Sequence, residues 1–228
     1  IRRPPRSTPS NSSAASDVYK RQSLYIAFIA ASIGSLIAIS MGFIAAYKGG
    51  IVDDILRSAI DAVLVIPTWP IFAIIVAYIK FLTIHDLGIA LAIFTWPWTA
   101  RVLRAQALSL KERPFVDLAK VTGESDLEII FKELIPNLLP YILMGFSSQV
   151  MSAILTETGL RLIGLGPPLL PTLGYLLQYC MSYGYITLRP YVVIAVVLSL
   201  ILIFIALNLI NLGLEEESNP RLKKITGL

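Results

Sequence analysis

Long apolar stretches without charged residues recur along the chain, separated by shorter polar segments. Five of them reach or approach the roughly 20 apolar residues that cross a hydrocarbon core. They cover residues 23–47, 62–79, 87–100, 134–156 and 190–214. Leu82 and a snorkelling Arg101 can extend the shortest run, the third. We therefore predict an all-α, polytopic transmembrane protein with spans at about residues 24–47, 62–80, 84–103, 137–157 and 190–213.

The longest polar interruption, residues 104–136, carries the signals of a first short helix outside the bilayer. Pro114 suits the first turn of a helix, and the run to Val121 contains few helix breakers. Gly123 stands where a left-handed residue commonly caps the end of a helix. We expect a short helix here that turns at Gly123.

A second short helix is predicted directly after this glycine. Ser125 and Glu128 match the capping box S-x-x-E, and Pro136 is expected to end the helix. Apolar residues recur at i, i+3, i+4, i+7 and i+8, namely Leu127, Ile130, Phe131, Leu134 and Ile135. We expect this apolar face, and in particular Leu127, Ile130 and Phe131, to be exposed on an isolated chain and to need a partner.

Composition confirms the bilayer as the solvent and locates the net charge. Of the 228 residues, 56% are hydrophobic and only 15% are charged, which is outside the range of soluble domains. The formal charge of +4 suggests nucleic-acid or anionic-lipid binding, but five of the 19 basic and only one of the 15 acidic residues lie in the first 22 residues. The rest of the chain is neutral, so we predict no nucleic-acid partner.

The first 22 residues differ from the remainder of the chain. They lack the apolar core of a signal peptide and look like translated sequencing-adapter sequence. The alternative is a disordered arm rich in Ser, Pro and Arg. In either case we expect residues 1–22 to be a non-native or disordered tail, and residues 23–228 to form the transmembrane domain.

The distribution of basic residues predicts the orientation of the chain. If the spans alternate, eleven basic residues share one side with the 104–136 loop and the C-terminus, and three lie on the other side. The positive-inside rule then places this loop and the C-terminus in the cytoplasm.

Three residues are candidates for a transport pathway. Pro67 and Pro97 interrupt the second and third spans, where a bent helix frees backbone carbonyls that can line a path. Glu157 is an acidic residue near membrane depth, which favours a functional role. Its alternative role is an interfacial carboxylate or a partner of Arg161, four residues later. Gly and Pro interrupt residues 162–188, for which we predict an irregular segment on the outer side, partly dipping toward the membrane.

The chain carries no motif of a phosphate loop, a zinc protease, a nucleophile elbow or a redox dithiol. One cysteine and one histidine exclude an internal disulfide and a His-pair metal site. We therefore expect no catalytic residue, no cofactor and no metal site.

Uphill transport by such a chain would need an ion gradient or a nucleotide-binding partner. Gradient-driven carriers usually place carboxylates or histidines within their spans, and the spans here are nearly bare. The large polar loop favours a partner. A stand-alone channel or secondary carrier, which would transport without nucleotide, and an intramembrane enzyme are the alternatives.

Residues 115–137 resemble the EAA loop of the membrane subunits of ABC importers. Five residues stand at the family's spacing, namely Asp117 (in place of the usual Glu), Ala119, Gly123, Ile135 and Pro136. The segments ESD, LEIIF and LIPN in this loop are similar to the sequences of the dipeptide/oligopeptide branch of the family. So are YKGGIVD at 47–53 and GLRLIGLGPP at 159–168. The resemblance covers about residues 23–222.

This resemblance implies the type I ABC importer permease fold with five of six spans present, the missing one preceding Ser23. It implies a permease subunit in a prokaryotic plasma (inner) membrane that forms half of a translocation pathway for peptides or similar small solutes. The loop residues it implies for coupling to the ATPase are Asp117, Ala119, Gly123, Ser125, Leu127, Ile130, Phe131 and Pro136.

The partners implied are a second homologous permease subunit, two ATP-binding cassette subunits that bind the ATP, an extracytoplasmic substrate-binding protein and the lipid bilayer. Similar permeases serve nickel, glutathione and oligosaccharides, so the substrate stays open.

Overall fold

The computed structural model describes residues 10–78, 83–167 and 170–218. Expectations about residues 1–9, 79–82, 168–169 and 219–228, including the end of the predicted second span and the last basic residues, lie outside the described residues. The secondary structure of the described part of the chain consists of helices, with no strand, which confirms the all-α class.

The helices follow one another with short connections. In chain order they are α1 Ser10–Lys48, α2 Gly50–Val65, α3 Thr68–Tyr78, α4 Ile84–Lys111, α5 Pro114–Val121, α6 Asp126–Ile129, a π-helix Ile130–Leu134, α7 Ile135–Asn137, α8 Leu139–Leu162, α9 Leu173–Ser182, α10 Tyr185–Leu188 and α11 Pro190–Ser218.

Three described helices are long and apolar enough to cross a membrane, namely Ser16–Lys48, Leu139–Leu162 and Pro190–Glu216. A fourth span is formed only if α2 and the first part of α3, which meet at 76°, are counted together. The 28-residue α4 is long enough but carries charged residues near both ends. The total of five spans therefore stays a prediction.

The second predicted span is a bent helix pair rather than one helix. Ile66 has an extended backbone, with φ −65° and ψ 124°, and ends α2. The ring of Pro67 disfavours helical geometry at the preceding residue, which explains the break. Pro97, in contrast, lies within α4, which continues past it.

Residues 10–22, predicted to be part of a disordered tail, instead extend α1 at its start. Extending an existing helix fixes one residue per added hydrogen bond, and Tyr19 also packs against the core. The non-native origin of this segment stays a prediction.

The expected irregular segment at 162–188 is shorter than predicted. Helices α9 and α10 occupy residues 173–182 and 185–188, which leaves residues 163–167 and 170–172 as the longest described irregular part of this segment. The Thr172 side chain accepts a hydrogen bond from the Tyr175 amide at 3.1 Å and so caps α9.

Helix α1 packs along α4 and α8, and glycines permit the close approach. A Cβ at Gly42 would lie 2.9 Å from the Ala100 carbonyl oxygen, and one at Gly88 would lie 2.8 Å from the Ile29 side chain. The end of the bundle near the polar loop has its own core, here called the loop-side core. It includes the buried residues Phe43, Ile60, Leu103, Ala107, Ile129, Ile130, Leu134 and Ile142.

Candidate functional site

Helix α5 ends in the left-handed turn that the sequence predicts. Gly123 has φ +85°. Its amide donates to the Lys120 carbonyl, and the Glu124 amide donates to the Ala119 carbonyl, both at 3.1 Å. This pattern is the Schellman motif. A Cβ at Gly123 would meet no atom within 4 Å, so the requirement for glycine is conformational rather than steric.

The predicted capping box begins α6. The Ser125 amide donates to the Glu128 carboxylate at 2.9 Å, and the Glu128 amide donates to the Ser125 hydroxyl oxygen at 3.4 Å. Lys132 adds an ion pair with Glu128 at 3.2 Å. The backbone and side-chain hydrogen bonds from Ser125, followed by Lys132, lower the pKa of Glu128 from 4.5 to about 2.

The prediction that Pro136 ends this helix is wrong. A π-helix occupies Ile130–Leu134, and the Ile135 amide donates to the Ile130 carbonyl. Pro136 lies in the first turn of α7, where a missing N–H is tolerated. The chain stays helical to Asn137, and α8 begins at Leu139.

The predicted apolar face of this helix is divided between two environments. Leu127 and Phe131 are 62% and 66% exposed, as expected. Ile130 is only 6% exposed, so the prediction that it is exposed is wrong. The wider π turn changes the angular spacing from 3.6 residues per turn, and Ile130 packs with Ile129 and Leu134 in the loop-side core.

Two further exposed apolar residues lie on α5. Leu118 is 64% exposed and Val121 is 84% exposed. Sequence reasoning missed them, although their three-residue spacing within a polar segment was a usable signal. We call Leu118, Val121, Leu127 and Phe131 together the docking surface.

The remaining two loop candidates have local roles in the structure. Ala119 is buried in the loop-side core. Asp117 is exposed and accepts a hydrogen bond from Lys120 at 2.9 Å, which raises the pKa of Lys120. Both therefore shape α5 rather than add to the apolar docking surface.

Two ion pairs tie α2 to the end of α4 near the loop. Asp61 pairs with Arg101, and Asp53 pairs with Arg104 through two hydrogen bonds. Arg57 and Asp61, four residues apart on α2, also form an ion pair at 3.8 Å. These contacts hold the amphipathic α2 against α4, next to the loop.

The three pathway candidates do not share one surface. Pro67 is exposed at the α2–α3 break, and Pro97 is buried. Glu157 is 3% exposed and pairs with Arg161 at 3.1 Å, as its alternative role predicts. It also accepts a hydrogen bond from the Thr172 hydroxyl at 2.6 Å.

Arg161 fixes the irregular segment that follows α8. Its guanidinium donates to the Pro167 carbonyl and, at 3.2 Å, to the Leu170 carbonyl. Close approach is again made possible by glycine, because a Cβ at Gly166 would lie 2.7 Å from the Arg161 side chain. The Glu157–Arg161 pair is therefore a buried anchor for the segment between α8 and α9.

Comparison with known proteins identifies the family. Residues 34–224 match the family described as binding-protein-dependent transport system inner membrane component. The chain is 30% identical over 204 residues to the glutathione transport system permease protein of Pectobacterium atrosepticum, covering 89% of the chain and 67% of that protein. It is 32% identical over 203 residues to the oligopeptide transport system permease protein of Mycobacterium bovis, covering 88% and 69%.

The fold is also similar to a solved structure. A chain of the methionine ABC transporter MetNI in an inward-facing conformation superposes with a TM-score of 0.68 and covers 87% of this chain and 93% of that one. Its sequence identity is 16%, so this likeness bears on the fold alone. The resemblance drawn from the loop and its flanking motifs is confirmed, and the chain belongs to the family of inner-membrane permease components of binding-protein-dependent ABC importers.

Proposed function

We propose that this permease imports peptides, with ATPase subunits bound at the docking surface of Leu118, Val121, Leu127 and Phe131. The docking proposal rests on the burial of the loop residues, some of which are exposed while others are packed against the bundle. The loop exposes these four apolar side chains, while Ile129, Ile130 and Leu134 are held in the loop-side core. Such a segment can contact a partner on one side and the bundle on the other.

The exposed side chains favour a protein partner. Clustered apolar residues on a water-exposed surface mark interaction sites, and burying each such side chain contributes about 1.5–3 kcal/mol. The Schellman turn at Gly123 and the capping box at Ser125 fix the junction between α5 and α6. A preformed surface loses little conformational entropy on binding.

The proposal also includes the orientation of the chain in the membrane and the subunits with which it assembles. The excess of basic residues on the loop side supports a cytoplasmic loop and a cytoplasmic C-terminus in a prokaryotic inner membrane. Only 11% of the most apolar part of α11 is buried within this chain, so most of its surface is left for lipid and for a second homologous permease subunit. Two ATPase subunits and an extracytoplasmic binding protein complete the proposed importer.

Peptides are the proposed substrate class. The two relatives described above are named for glutathione and for oligopeptides, and glutathione is itself a tripeptide. Both names therefore refer to peptides. An extracytoplasmic binding protein would make the selection within this class.

The docking proposal is tested with Phe131→Asp and Leu127→Asp in the complete transporter. Both side chains are exposed, so we expect normal membrane insertion, loss of co-purifying ATPase subunits and loss of ATP-driven peptide uptake. Phe131→Leu is the matched control, because it keeps an apolar side chain and should retain binding.

A buried neighbour separates docking from folding. Ile129 is 0% exposed, and Ile129→Asp should reduce the amount of folded permease instead of releasing only the ATPase subunits. The proposal is wrong if Phe131→Asp retains full ATPase binding and coupled uptake, or if it loses folded protein as Ile129→Asp does.

A further inference from the structure

Two cavities lie between α4 and α8, one nearer the polar loop than the other. The cavity nearer the loop has a volume of about 170 Å³, and its walls include Trp98 and Thr99 of α4 and Tyr141 and Ser148 of α8. Helix α4 thus contributes an indole ring and one hydroxyl group, and α8 contributes a phenol ring with its own hydroxyl and the serine hydroxyl.

The second cavity lies farther from the loop and has a volume of about 190 Å³. Its walls include Thr95 of α4, Ser152 and Thr156 of α8, and the ring of Trp69 from α3. Helix α3 starts directly after the break at Pro67, so the bend of the α2–α3 pair brings Trp69 to this cavity.

The two cavities follow one another along the same pair of helix faces. Thr95 and Thr99 are four residues apart on α4, and Ser148, Ser152 and Thr156 recur every four residues on α8. Residues four apart share one face of a helix. The hydroxyls on α8 span about 12 Å at 1.5 Å per residue. We call these five side chains and the two cavities the hydroxyl groove.

The cavity farther from the loop has mainly polar walls, and the cavity nearer the loop has mainly apolar walls with hydroxyl groups among them. Among the described residues, neither cavity has a charged side chain on its walls. Serine and threonine hydroxyls both donate and accept hydrogen bonds. A charged group placed here would lose hydration without gaining a counterion, which is costly. Neutral groups that both donate and accept, such as peptide amides, suit this lining.

A buried hydrogen-bond network orients one of these hydroxyls. The Gln149 side-chain amide, 2% exposed, donates to the Thr99 hydroxyl oxygen and to the Ser35 hydroxyl oxygen, both at 3.1 Å. Within the described part of the chain, the Thr99 hydroxyl donates to no acceptor. Because Thr99 also lines the cavity nearer the loop, its hydroxyl is the group we assign as a donor to a carbonyl oxygen there.

We propose that the hydroxyl groove is this chain's wall of the solute path and that it binds the backbone amides of a peptide in transit. The proposal rests on the peptide-import function proposed above. It replaces Pro97 and Glu157, which are buried, as the residues in contact with solute. The charged termini and the side chains of the peptide stay hydrated by water in the path.

The first test measures water access in the assembled transporter. Cys180 is the chain's single cysteine, so Ser148→Cys and Ser152→Cys are made in a Cys180→Ala background. Both should react with a membrane-impermeant thiol reagent. Ile154→Cys is the matched control, because Ile154 is 2% exposed on the packed side of the same helix and should stay unreactive.

The second test measures solute recognition with a tryptic casein digest, whose imported peptides are identified by mass spectrometry. Thr99→Val keeps the side-chain shape but removes both the hydroxyl proton and the oxygen that accepts from Gln149, and we expect initial uptake to fall about fivefold or more. Thr99→Ser should restore uptake. Ser152→Ala, at an exposed position, should lower uptake similarly without affecting packing.

The outcomes separate this proposal from the function on which it rests. If Ser148→Cys and Ser152→Cys react no faster than Ile154→Cys, the groove is not the path. The same follows if Thr99→Val and Ser152→Ala import peptides at the normal rate. If the unmodified transporter imports no peptide, the proposed substrate class is wrong, whereas cysteine labelling still tests the path.

Discussion

The buried ion pair at the end of α8 gives the sharpest stability prediction. Arg161 and Glu157 are 2% and 3% exposed, and Arg161 also donates to two carbonyl oxygens of the following segment. Arg161→Met fills a similar volume but leaves the Glu157 carboxylate buried with the Thr172 hydroxyl as its remaining hydrogen-bond donor. Breaking one partner of a buried pair costs about 3–5 kcal/mol. We expect the free energy of unfolding to fall by that amount.

The double variant Glu157→Gln/Arg161→Met isolates the charge. Glutamine keeps an oxygen that can accept the Thr172 hydrogen bond, while the uncompensated charge is gone. We therefore expect the double variant to be more stable than Arg161→Met alone, recovering about 2 kcal/mol or more. Arg189→Met is the control, because Arg189 is an exposed arginine and its loss should stay within about 0.5 kcal/mol.

The measurement is reversible unfolding in mixed micelles, followed by tryptophan fluorescence and by protease access to the segment between α8 and α9. Both probes should report the same order of variants, since the pair anchors this segment to α8. A destabilisation below about 1 kcal/mol for Arg161→Met would refute the reasoning. So would strict additivity of Arg161→Met and the single variant Glu157→Gln in the double variant, which would mean that the two charges do not interact.

Two further predictions concern the loop. Gly123→Val introduces a Cβ at φ +85° and strains the turn by about 1 kcal/mol or more, so ATPase-subunit binding should weaken while the permease stays inserted. Gly213→Val, in α11, where an added Cβ meets nothing within 4 Å, is the control, and equal binding by both variants would contradict the prediction. The pKa of Glu128 is lowered from 4.5 in the unfolded chain to about 2 in the folded one, so the stabilisation by its carboxylate is complete above about pH 4.5 and is lost as pH falls toward 2. Amide exchange at Ile129, corrected for its intrinsic pH dependence, should show this loss of stability between about pH 4.5 and 2. Ser125→Ala should cost about 1 kcal/mol and move the loss to higher pH. An unchanged pH profile in Ser125→Ala would show that the capping box does not set the pKa of Glu128.

The features that were predictable from the sequence depend on near neighbours along the chain. The turn at Gly123 and the capping box of Ser125 and Glu128 follow from residues three to five positions apart. The break before Pro67 follows from the sterics of one ring. Each of these signals is complete in the local sequence, so no knowledge of packing was needed.

The features that were missed depend on distant residues. Ile130 is buried because a π-helix redirects it into a core shared with α1, α4 and α8, which a 3.6-residue period cannot show. The charges of Arg101 and Arg104 near a membrane span are matched by Asp61 and Asp53, 40 and 51 residues earlier. The hydroxyl groove exists only when α4 and α8 lie side by side.

The packing of the loop determines how a bound ATPase can act on the groove. Ile129, Ile130 and Leu134 share the loop-side core with residues of α4 and α8. Only two residues separate α4 from α5, and a single residue separates α7 from α8. A close-packed interior of this kind has little room to absorb a displacement. A movement of Leu127 and Phe131 by a partner must therefore be passed to α4 and α8, whose facing sides carry the hydroxyls of the groove.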